Sequence, residues 1–215
     1  MNAAPGPDHF RAAAAFVLML RQAGLSDRRV LNAMEQVPRV PFLDEGHFAL
    51  ADEDVALPIA MGQSVLRPTL IAAMLDALDV APHHRVLQIG TGSGYTAAIL
   101  GRLAKEVVTV ERWRTLADQA HLRLRSLGYD MVETIFGDGF DGFAQRAPYD
   151  RILLTCAVSD PPTHLLAQLA PDGVMVVPLT AGVVVRTGKA DSHASRNAFA
   201  VAQVDPAVHG VARRL

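Results

Sequence analysis

Apolar residues recur at different spacings along this chain, and the changes of spacing predict the order of its elements. In the first third they recur three to four positions apart, as on one face of a helix. This spacing predicts helices over 10–23, over 27–36 with Ser26 as N-cap, and from Pro68 onward. Residues 37–66 mix prolines and glycines with short irregular pieces, so we expect an ordered loop there.

The remainder of the chain alternates short apolar runs with amphipathic stretches, which is typical of a parallel α/β sheet. The predicted strands are 85–89, 106–110, 132–136 and 150–155, and the predicted helices are 94–103, 113–127 and 162–169. A hairpin at a sheet edge is predicted over 174–179 and 182–187, with a last strand over 198–204. We therefore expect an α/β fold, a mostly parallel twisted sheet flanked by helices. Residues 1–67 are expected to form an N-terminal helical and loop cap, and 68–215 one compact domain.

A glycine-rich turn lies between the first predicted strand of the sheet and its helix. Its sequence is Gly90-Thr91-Gly92-Ser93-Gly94, and the strand that follows the helix ends in Glu111. Glycines allow a tight turn and a close approach of backbone to a ligand. The carboxyl end of a buried strand is where open α/β sheets bind nucleotide-like ligands, and the acid can accept from both ribose hydroxyls.

The residue after the turn indicates which nucleoside is bound. A dinucleotide site needs a third small residue at the position where this chain has Tyr95. A bulky residue there favours a nucleoside ligand without a pyrophosphate, which points to S-adenosylmethionine. An NAD site, and a turn that only connects strand and helix, are the alternatives.

A second turn, Gly137-Asp138-Gly139, follows the strand over 132–136. It therefore lies at the carboxyl end of that strand, beside the glycine-rich turn. Asp138 can accept a hydrogen bond from the amine of an adenine there, with neighbouring backbone groups completing the pocket. A simple Asp-Gly turn is the alternative.

Composition limits the classes of function. The chain has 215 residues, a formal net charge of −2 and 50% hydrophobic residues, which suits one packed domain and shows no basic signature of a nucleic-acid partner. No apolar run approaches the ~20 residues of a membrane span. Cys156 is the only cysteine, so an intramolecular disulfide is excluded and a cytoplasmic protein is expected. We favour a small buried residue over a nucleophile as the role of its thiol. We expect no metal site.

Several segments together resemble the protein-L-isoaspartate O-methyltransferase family, whose members methylate isoaspartyl carboxylates of damaged proteins. The resemblance covers about 24–179. Outside the glycine turn it includes Asp27-Arg28-Arg29-Val30-Leu31-Asn32-Ala33-Met34, Val37-Pro38-Arg39, Phe42, Ala56-Leu57-Pro58-Ile59, Gly62-Gln63, Gly137-Asp138-Gly139, Ala147-Pro148-Tyr149-Asp150 and Leu165-Leu166 through Pro178. It implies a Rossmann-like class I methyltransferase fold.

The resemblance also implies a cofactor, a partner and residue roles. S-adenosyl-L-methionine would be converted to S-adenosyl-L-homocysteine, and the acceptor would be a carboxylate of a protein or peptide. Residues 90–94 would contact the methionine part of the cofactor, Glu111 the ribose, and Asp138 with Gly139 the adenine. Gln63 and Ser64 would close over the cofactor and the acceptor, which makes Ser64 the candidate catalytic residue.

Three departures from the family pattern bear on the cofactor or on the substrate. Gln88 stands where the family has Glu, near the positive end of the cofactor. Leu66 stands where the family pattern Thr-Ile-Ser-x-Pro has its serine, which removes a hydroxyl from the acceptor site. Residues 187–196 are short and polar where the family continues with a longer substrate-binding region. The chain thus resembles a divergent member of the family, and two alternatives follow: a methyltransferase for another acceptor, or a cofactor-binding protein without isoaspartyl activity.

A carboxylate acceptor explains why no catalytic dyad is needed. A side-chain carboxyl with a reference pKa of about 4 is already ionised at neutral pH. No general base is required, and the enzyme has to align the reacting atoms and exclude water.

Overall fold

The computed structural model describes residues 7–188, 199–200, 204–208 and 210–212. The helices are α1 (Pro7–Gln22), α2 (Arg28–Gln36), α3 (Pro68–Leu78), α4 (Tyr95–Leu103), α5 (Arg114–Ser126) and α6 (Thr163–Leu166). The strands are β1 (Leu57–Ile59), β2 (Gln63–Val65), β3 (Arg85–Ile89), β4 (Glu106–Glu111), β5 (Val132–Phe136), β6 (Tyr149–Leu154), β7 (Leu169–Leu179), β8 (Val183–Gly188) and β9 (Phe199–Ala200). Short 3-10 helices connect several of them.

Within the described residues the main sheet has seven strands in the order β5-β4-β3-β6-β7-β8-β9. Strands β5 to β7 in this order are parallel, and β8 and β9 complete an antiparallel edge. The chain runs outward from β3 to β5 on one side and returns at β6 on the other. The connections above β3 and β6 therefore diverge and leave a crevice at their carboxyl ends. The expected α/β fold with a mostly parallel sheet is confirmed.

Both faces of the central strand are covered by apolar layers. Val86 and Leu87 are adjacent in β3 and point to opposite faces, and neither is exposed to solvent. Val86 belongs to the layer that α1 to α4 form, to which Phe16 and Leu31 also contribute. Leu87 belongs to the layer beneath α6, with Leu165. Burial on both faces explains why these strands are apolar runs without alternation.

The prediction of an irregular loop over 37–66 was wrong in part. It contains the antiparallel hairpin of β1 and β2, in which Pro58 pairs with Ser64, and three 3-10 helices. Each strand is only three residues long, so no alternation is visible in the sequence. Residues 60–62, where Met61 has a φ of 60°, join the strands.

Smaller differences between the predicted and the observed elements have local causes. The N-cap of α2 is Asp27, whose carboxylate accepts from the N–H of Arg29, and not Ser26. Helix α6 ends at Leu166, because Leu169 already begins β7. Of the predicted last strand, residues 199–200 form β9, while 198 and 201–203 lie outside the described residues. The polar stretch over 187–196 begins within β8, and 189–196 lie outside the described residues as well. No described helix combines the length and apolarity required to cross a membrane.

Candidate active site

The glycine turn begins at the carboxyl end of β3. Gly90, Gly92 and Gly94 have φ angles of 89°, 55° and 93°, a region that side-chain-bearing residues rarely adopt. A Cβ on Gly90 would lie 2.5 Å from the hydroxyl oxygen of Thr155, so this backbone also passes too close to β6 for a side chain. The turn therefore requires the glycines that made it recognisable in the sequence.

Glu111 ends β4 and binds the turn from the neighbouring strand. Its Oε2 accepts from the N–H of Gly92 at 2.9 Å, and its Oε1 accepts from the N–H of Trp113 at 3.0 Å. The side chain is buried, and each carboxylate oxygen has a second lone pair available for a ligand. The acid predicted to contact a ribose is thus also a support of the turn.

A cavity of about 270 Å³ lies above the carboxyl ends of β3, β4 and β6. It brings together five of the residues predicted from the sequence, namely Gln63, Gly90, Glu111, Asp138 and Gly139. Its apolar walls are Ile89, Val110, Phe140, Leu154, Val158 and Leu165. Carboxylates on both sides of an apolar cleft can accept the hydrogen bonds that a nucleoside donates, from its diol at one end and its amine at the other.

A smaller chamber of about 70 Å³ adjoins this cavity beneath the hairpin. The predicted residues that line it are Gln63, Ser64, Gly90, Thr91, Gly92, Ser93 and Glu111, and Leu66 lines it too. Gly94 is directed elsewhere, since a Cβ there would lie 3.4 Å from Leu124 of α5. The chamber therefore combines the glycine turn with the segment predicted to contact the acceptor.

Asp138 lies at the far side of the larger cavity. Its Oδ1 accepts from the N–H of Phe140 at 2.9 Å, and its Oδ2 accepts from the N–H of Gly210 at 2.6 Å. The next residue, Gly139, packs against Ile89 so closely that a Cβ would collide with the Ile89 side chain. This glycine brings the Asp138 turn against the end of β3.

One polar group of the smaller chamber fits the amino-acid end of a cofactor. The hydroxyl of Ser93 is buried and has no hydrogen-bond partner in the described part of the chain. Leaving such a group unpaired costs about 1–3 kcal/mol, which a polar ligand in the chamber would relieve. The hydroxyl of Thr91, by contrast, is paired with that of Thr109 at 2.7 Å.

Gln88, which replaces the family's Glu, is fully buried in β3. Its Nε2 donates to the carbonyl of Gly90 at 2.8 Å, and the hydroxyl of Thr155 donates to the same carbonyl at 2.7 Å. Gln88 is absent from the described linings of both chambers. It supports the turn from below.

Arg39 is a buried cation near the hairpin, and no pattern in the sequence indicates its place in the site. Its guanidinium donates to the carbonyls of Val55 at 2.8 Å and Leu66 at 3.0 Å, and burial lowers its pKa. Arginine nevertheless stays charged in proteins. Arg39 therefore fixes the end of β2 and places a positive charge behind the segment expected to bind a carboxylate.

The C-terminal segment also belongs to the site, and no local pattern indicated it. Residues 204–208 and 210–212, here called the strap, cross the carboxyl ends of the strands. The N–H of Ala157 donates to the carbonyl of Asp205 at 2.8 Å, and Arg112 Nε donates to the carbonyl of Gly210 at 3.1 Å. The strap lines the larger cavity with Asp205, Pro206, Ala207 and Val208.

Cys156 faces both chambers, where desolvation and the nearby Glu111 raise its pKa to about 12. A thiol with so high a pKa stays protonated at neutral pH, which disfavours a nucleophilic role. The side chain is only partly buried, because it lines both chambers, so the buried role expected for it holds only in part.

Comparisons with known proteins show which family the chain resembles. The family model for protein-L-isoaspartate(D-aspartate) O-methyltransferase matches residues 11–204. The chain is 46% identical over 204 residues to protein-L-isoaspartate O-methyltransferase 2 of Rhodopseudomonas palustris strain HaA2, covering 93% of this chain and 94% of that protein. It is 49% identical over 168 residues to the protein-L-isoaspartate O-methyltransferase of Azorhizobium caulinodans, covering 78% of this chain and 77% of that protein.

Solved structures show the same fold. A protein-L-isoaspartate O-methyltransferase superposes with a TM-score of 0.79 at 24% identity, covering 93% of this chain and 67% of that one. A Plasmodium falciparum protein described as a protein-L-isoaspartate O-methyltransferase, solved with S-adenosyl-L-homocysteine, superposes with a TM-score of 0.70 at 19% identity, covering 93% and 98% of the two chains. The extent of the family match and the identity to its curated members place this chain in the protein-L-isoaspartate(D-aspartate) O-methyltransferase family of S-adenosylmethionine-dependent methyltransferases.

Proposed function

We propose that this protein transfers the methyl group of S-adenosylmethionine to the isoaspartyl carboxylate of damaged proteins and peptides. The observation that carries the proposal is the continuity of the two chambers, which share Gln63, Gly90 and Glu111. One is suited to a nucleoside, and the other lies between the glycine turn and Ser64. A cofactor that extends from the first into the second would meet an acceptor at the hairpin.

The proposed cofactor contacts follow the larger cavity. Glu111 accepts from the ribose hydroxyls, Asp138 and Gly139 hold the adenine, and residues 90–93 lie along the methionine part of the cofactor, since Gly94 lines neither chamber. When bound, S-adenosylmethionine supplies a methyl group activated by a positively charged sulfur. Glu111 is preorganised for its role because the N–H groups of Gly92 and Trp113 already fix its carboxylate.

The proposed acceptor contacts belong to the hairpin. Ser64 donates its hydroxyl hydrogen to the acceptor carboxylate and orients it, and Gln63 closes over it. Arg39 holds the backbone of Leu66 and contributes a favourable field for an anion. The carboxylate is ionised at neutral pH, so these residues position it and exclude water, and none has to remove a proton.

A methyltransferase for another acceptor is the second candidate, and one observation favours it. Leu66 is buried and presents an apolar wall to the smaller chamber, where the family has a hydroxyl. An acceptor with fewer polar atoms than a carboxylate would leave fewer hydrogen bonds unsatisfied against the Leu66 side chain.

Two further proposals concern organisation and location. We propose that residues 1–67 act as the cap that carries the acceptor hairpin, and that 68–215 form the methyltransferase domain. The cap and the domain share one apolar layer, which supports their acting as a unit. We also propose that the protein acts in the cytoplasm, a location that its free thiol, Cys156, favours.

The cofactor proposal predicts a clear preference among nucleotides. We expect S-adenosylhomocysteine to bind with a dissociation constant near 1 μM, which corresponds to about −8 kcal/mol. NAD should not bind with comparable strength, because Tyr95 stands where a pyrophosphate site needs a small residue. Titration calorimetry with both ligands measures this. Tight NAD binding without a response to S-adenosylhomocysteine would contradict the assignment.

Methyl transfer to a matched pair of peptides tests the acceptor. The two peptides have one sequence and differ only in an isoaspartyl or an ordinary aspartyl linkage. With labelled S-adenosylmethionine, we expect label in the isoaspartyl peptide alone. Label in neither peptide, from protein that binds S-adenosylhomocysteine, would refute the isoaspartyl proposal and favour the second candidate.

A further inference from the structure

The strap brings a carboxylate of the protein itself to the smaller chamber. Asp205 lines both chambers. The backbone on either side of it is fixed, because the N–H of Ala157 donates to the Asp205 carbonyl at 2.8 Å and the N–H of Ala207 donates to the Ala157 carbonyl at 2.7 Å. The position of Asp205 is thus set by main-chain bonds that do not depend on its side chain.

The Asp205 side chain accepts a hydrogen bond from the proposed acceptor-binding residue. Ser64 Oγ lies 2.8 Å from Asp205 Oδ2, and since a carboxylate only accepts, the hydroxyl is the donor. A hydroxyl carries a single hydrogen. While Ser64 donates to Asp205, it cannot donate to the carboxylate of a substrate.

The neighbouring side chains of the hairpin offer few other donors. Val65 and Leu66 are apolar, and one of the two amide hydrogens of Gln63 is already donated to the carbonyl of Met61 at 3.1 Å. A second carboxylate placed at the same hydroxyl would also be repelled by Asp205. Asp205 is exposed, so its side chain can turn into water and stay solvated when a substrate displaces it.

We propose that Asp205 makes an autoinhibitory contact in which its side chain mimics the acceptor carboxylate. It occupies the Ser64 hydroxyl in the absence of substrate, and an acceptor has to displace it. The inference rests on the proposed function, in which Ser64 binds the acceptor. Asp205 therefore weakens acceptor binding and leaves cofactor affinity unchanged.

The test compares Asp205→Ala with Asp172→Ala, which removes the same charge from an exposed position near the start of β7, at the opposite end of the strands. Binding of an isoaspartyl peptide to the protein saturated with S-adenosylhomocysteine is measured by calorimetry, and the KM for that peptide by methyl transfer. For Asp205→Ala the dissociation constant and the KM of the peptide should both fall about tenfold, as expected when one competing hydrogen bond to a charged group is removed. S-adenosylhomocysteine affinity should stay the same, and Asp172→Ala should behave as the wild type.

The Ser64→Ala variant distinguishes competition at the Ser64 hydroxyl from a merely structural role of Asp205. In that background Asp205→Ala should improve peptide binding much less, because the shared hydrogen is gone and only the charge repulsion is relieved. Asp205→Asn keeps an accepting oxygen without the charge, so it should give an intermediate gain. An equal gain with and without Ser64 would indicate general loosening of the strap and overturn the inference.

The remaining outcomes separate this inference from the proposed function. Unchanged or weaker peptide binding in Asp205→Ala overturns the inference even where methyl transfer occurs. A fall in S-adenosylhomocysteine affinity also overturns it, since Asp205 would then belong to the cofactor site. Tighter peptide binding without methyl transfer by any variant supports the competition at Ser64 and contradicts the proposed function. Failure of the peptide to bind any variant contradicts both.

Discussion

Replacing Glu111 with alanine is expected to lower the affinity for S-adenosylhomocysteine at least a hundredfold, because two hydrogen bonds from the ribose to a charged acceptor, each worth about 1.5–3 kcal/mol, are lost. The same carboxylate holds the N–H groups of Gly92 and Trp113. Removing the Glu111 carboxylate therefore also loosens the glycine turn, on which the methionine part of the cofactor would lie. Titration calorimetry on folded protein, verified by circular dichroism, measures the effect.

Glu106 provides the matched control for this experiment. It begins the same strand, β4, at the opposite end, where it pairs with Arg85 at 3.2 Å. Glu106→Ala should bind S-adenosylhomocysteine as the wild type does, because Glu106 lines neither chamber and its half-buried ion pair lies at the far end of the strand. If Glu111→Ala also bound it as the wild type does, the ribose would not be at Glu111.

Replacing Leu66 with serine is expected to raise the rate of isoaspartyl methylation ten- to hundredfold, because a buried charged oxygen without its donor costs about 1–3 kcal/mol. Leu66 lines the smaller chamber beside Ser64, so a hydroxyl there would face the same acceptor. By the same reasoning the wild type should methylate isoaspartyl peptides weakly. Side-by-side methyl-transfer assays of both proteins on one isoaspartyl peptide test this.

Leu66→Ala separates the added donor from the added space. Leu66 is buried in the main apolar layer, and truncating such a leucine costs about 2–5 kcal/mol of stability. Both variants should therefore unfold at lower temperature, and the assays belong well below that transition. Only the serine should accelerate methyl transfer. Full wild-type activity that serine leaves unchanged would show that position 66 does not hold the substrate.

The sequence predicted the centre of the fold closely because burial leaves a strong signal there. Strand β3 was predicted to the residue, and β4 differs only by including Glu111. Both are apolar on both faces because helices cover both sides of the sheet. The glycine turn was equally visible, since its φ angles admit few other residues.

The hairpin and the strap were not predicted because their contacts are not local. Strands of three residues show no periodicity, and β1 and β2 are held by Arg39 from a distant part of the chain. Ser64 and Asp205 are 141 positions apart, so no sequence window contains both. The second role of Glu111, as a support of the turn, depends on side-chain direction at a strand end, which a pattern does not specify.

The chemical identity of the transferred methyl group tests the central claim most directly. The isoaspartyl peptide is incubated with the wild-type protein and S-adenosylmethionine, and the product is examined by mass spectrometry before and after mild base. We expect one added methyl group on the isoaspartyl residue, lost as methanol in base, because a methyl ester of a carboxylate hydrolyses there. A methyl group that survives base, or one located on another residue, would contradict the assignment of a carboxylate acceptor.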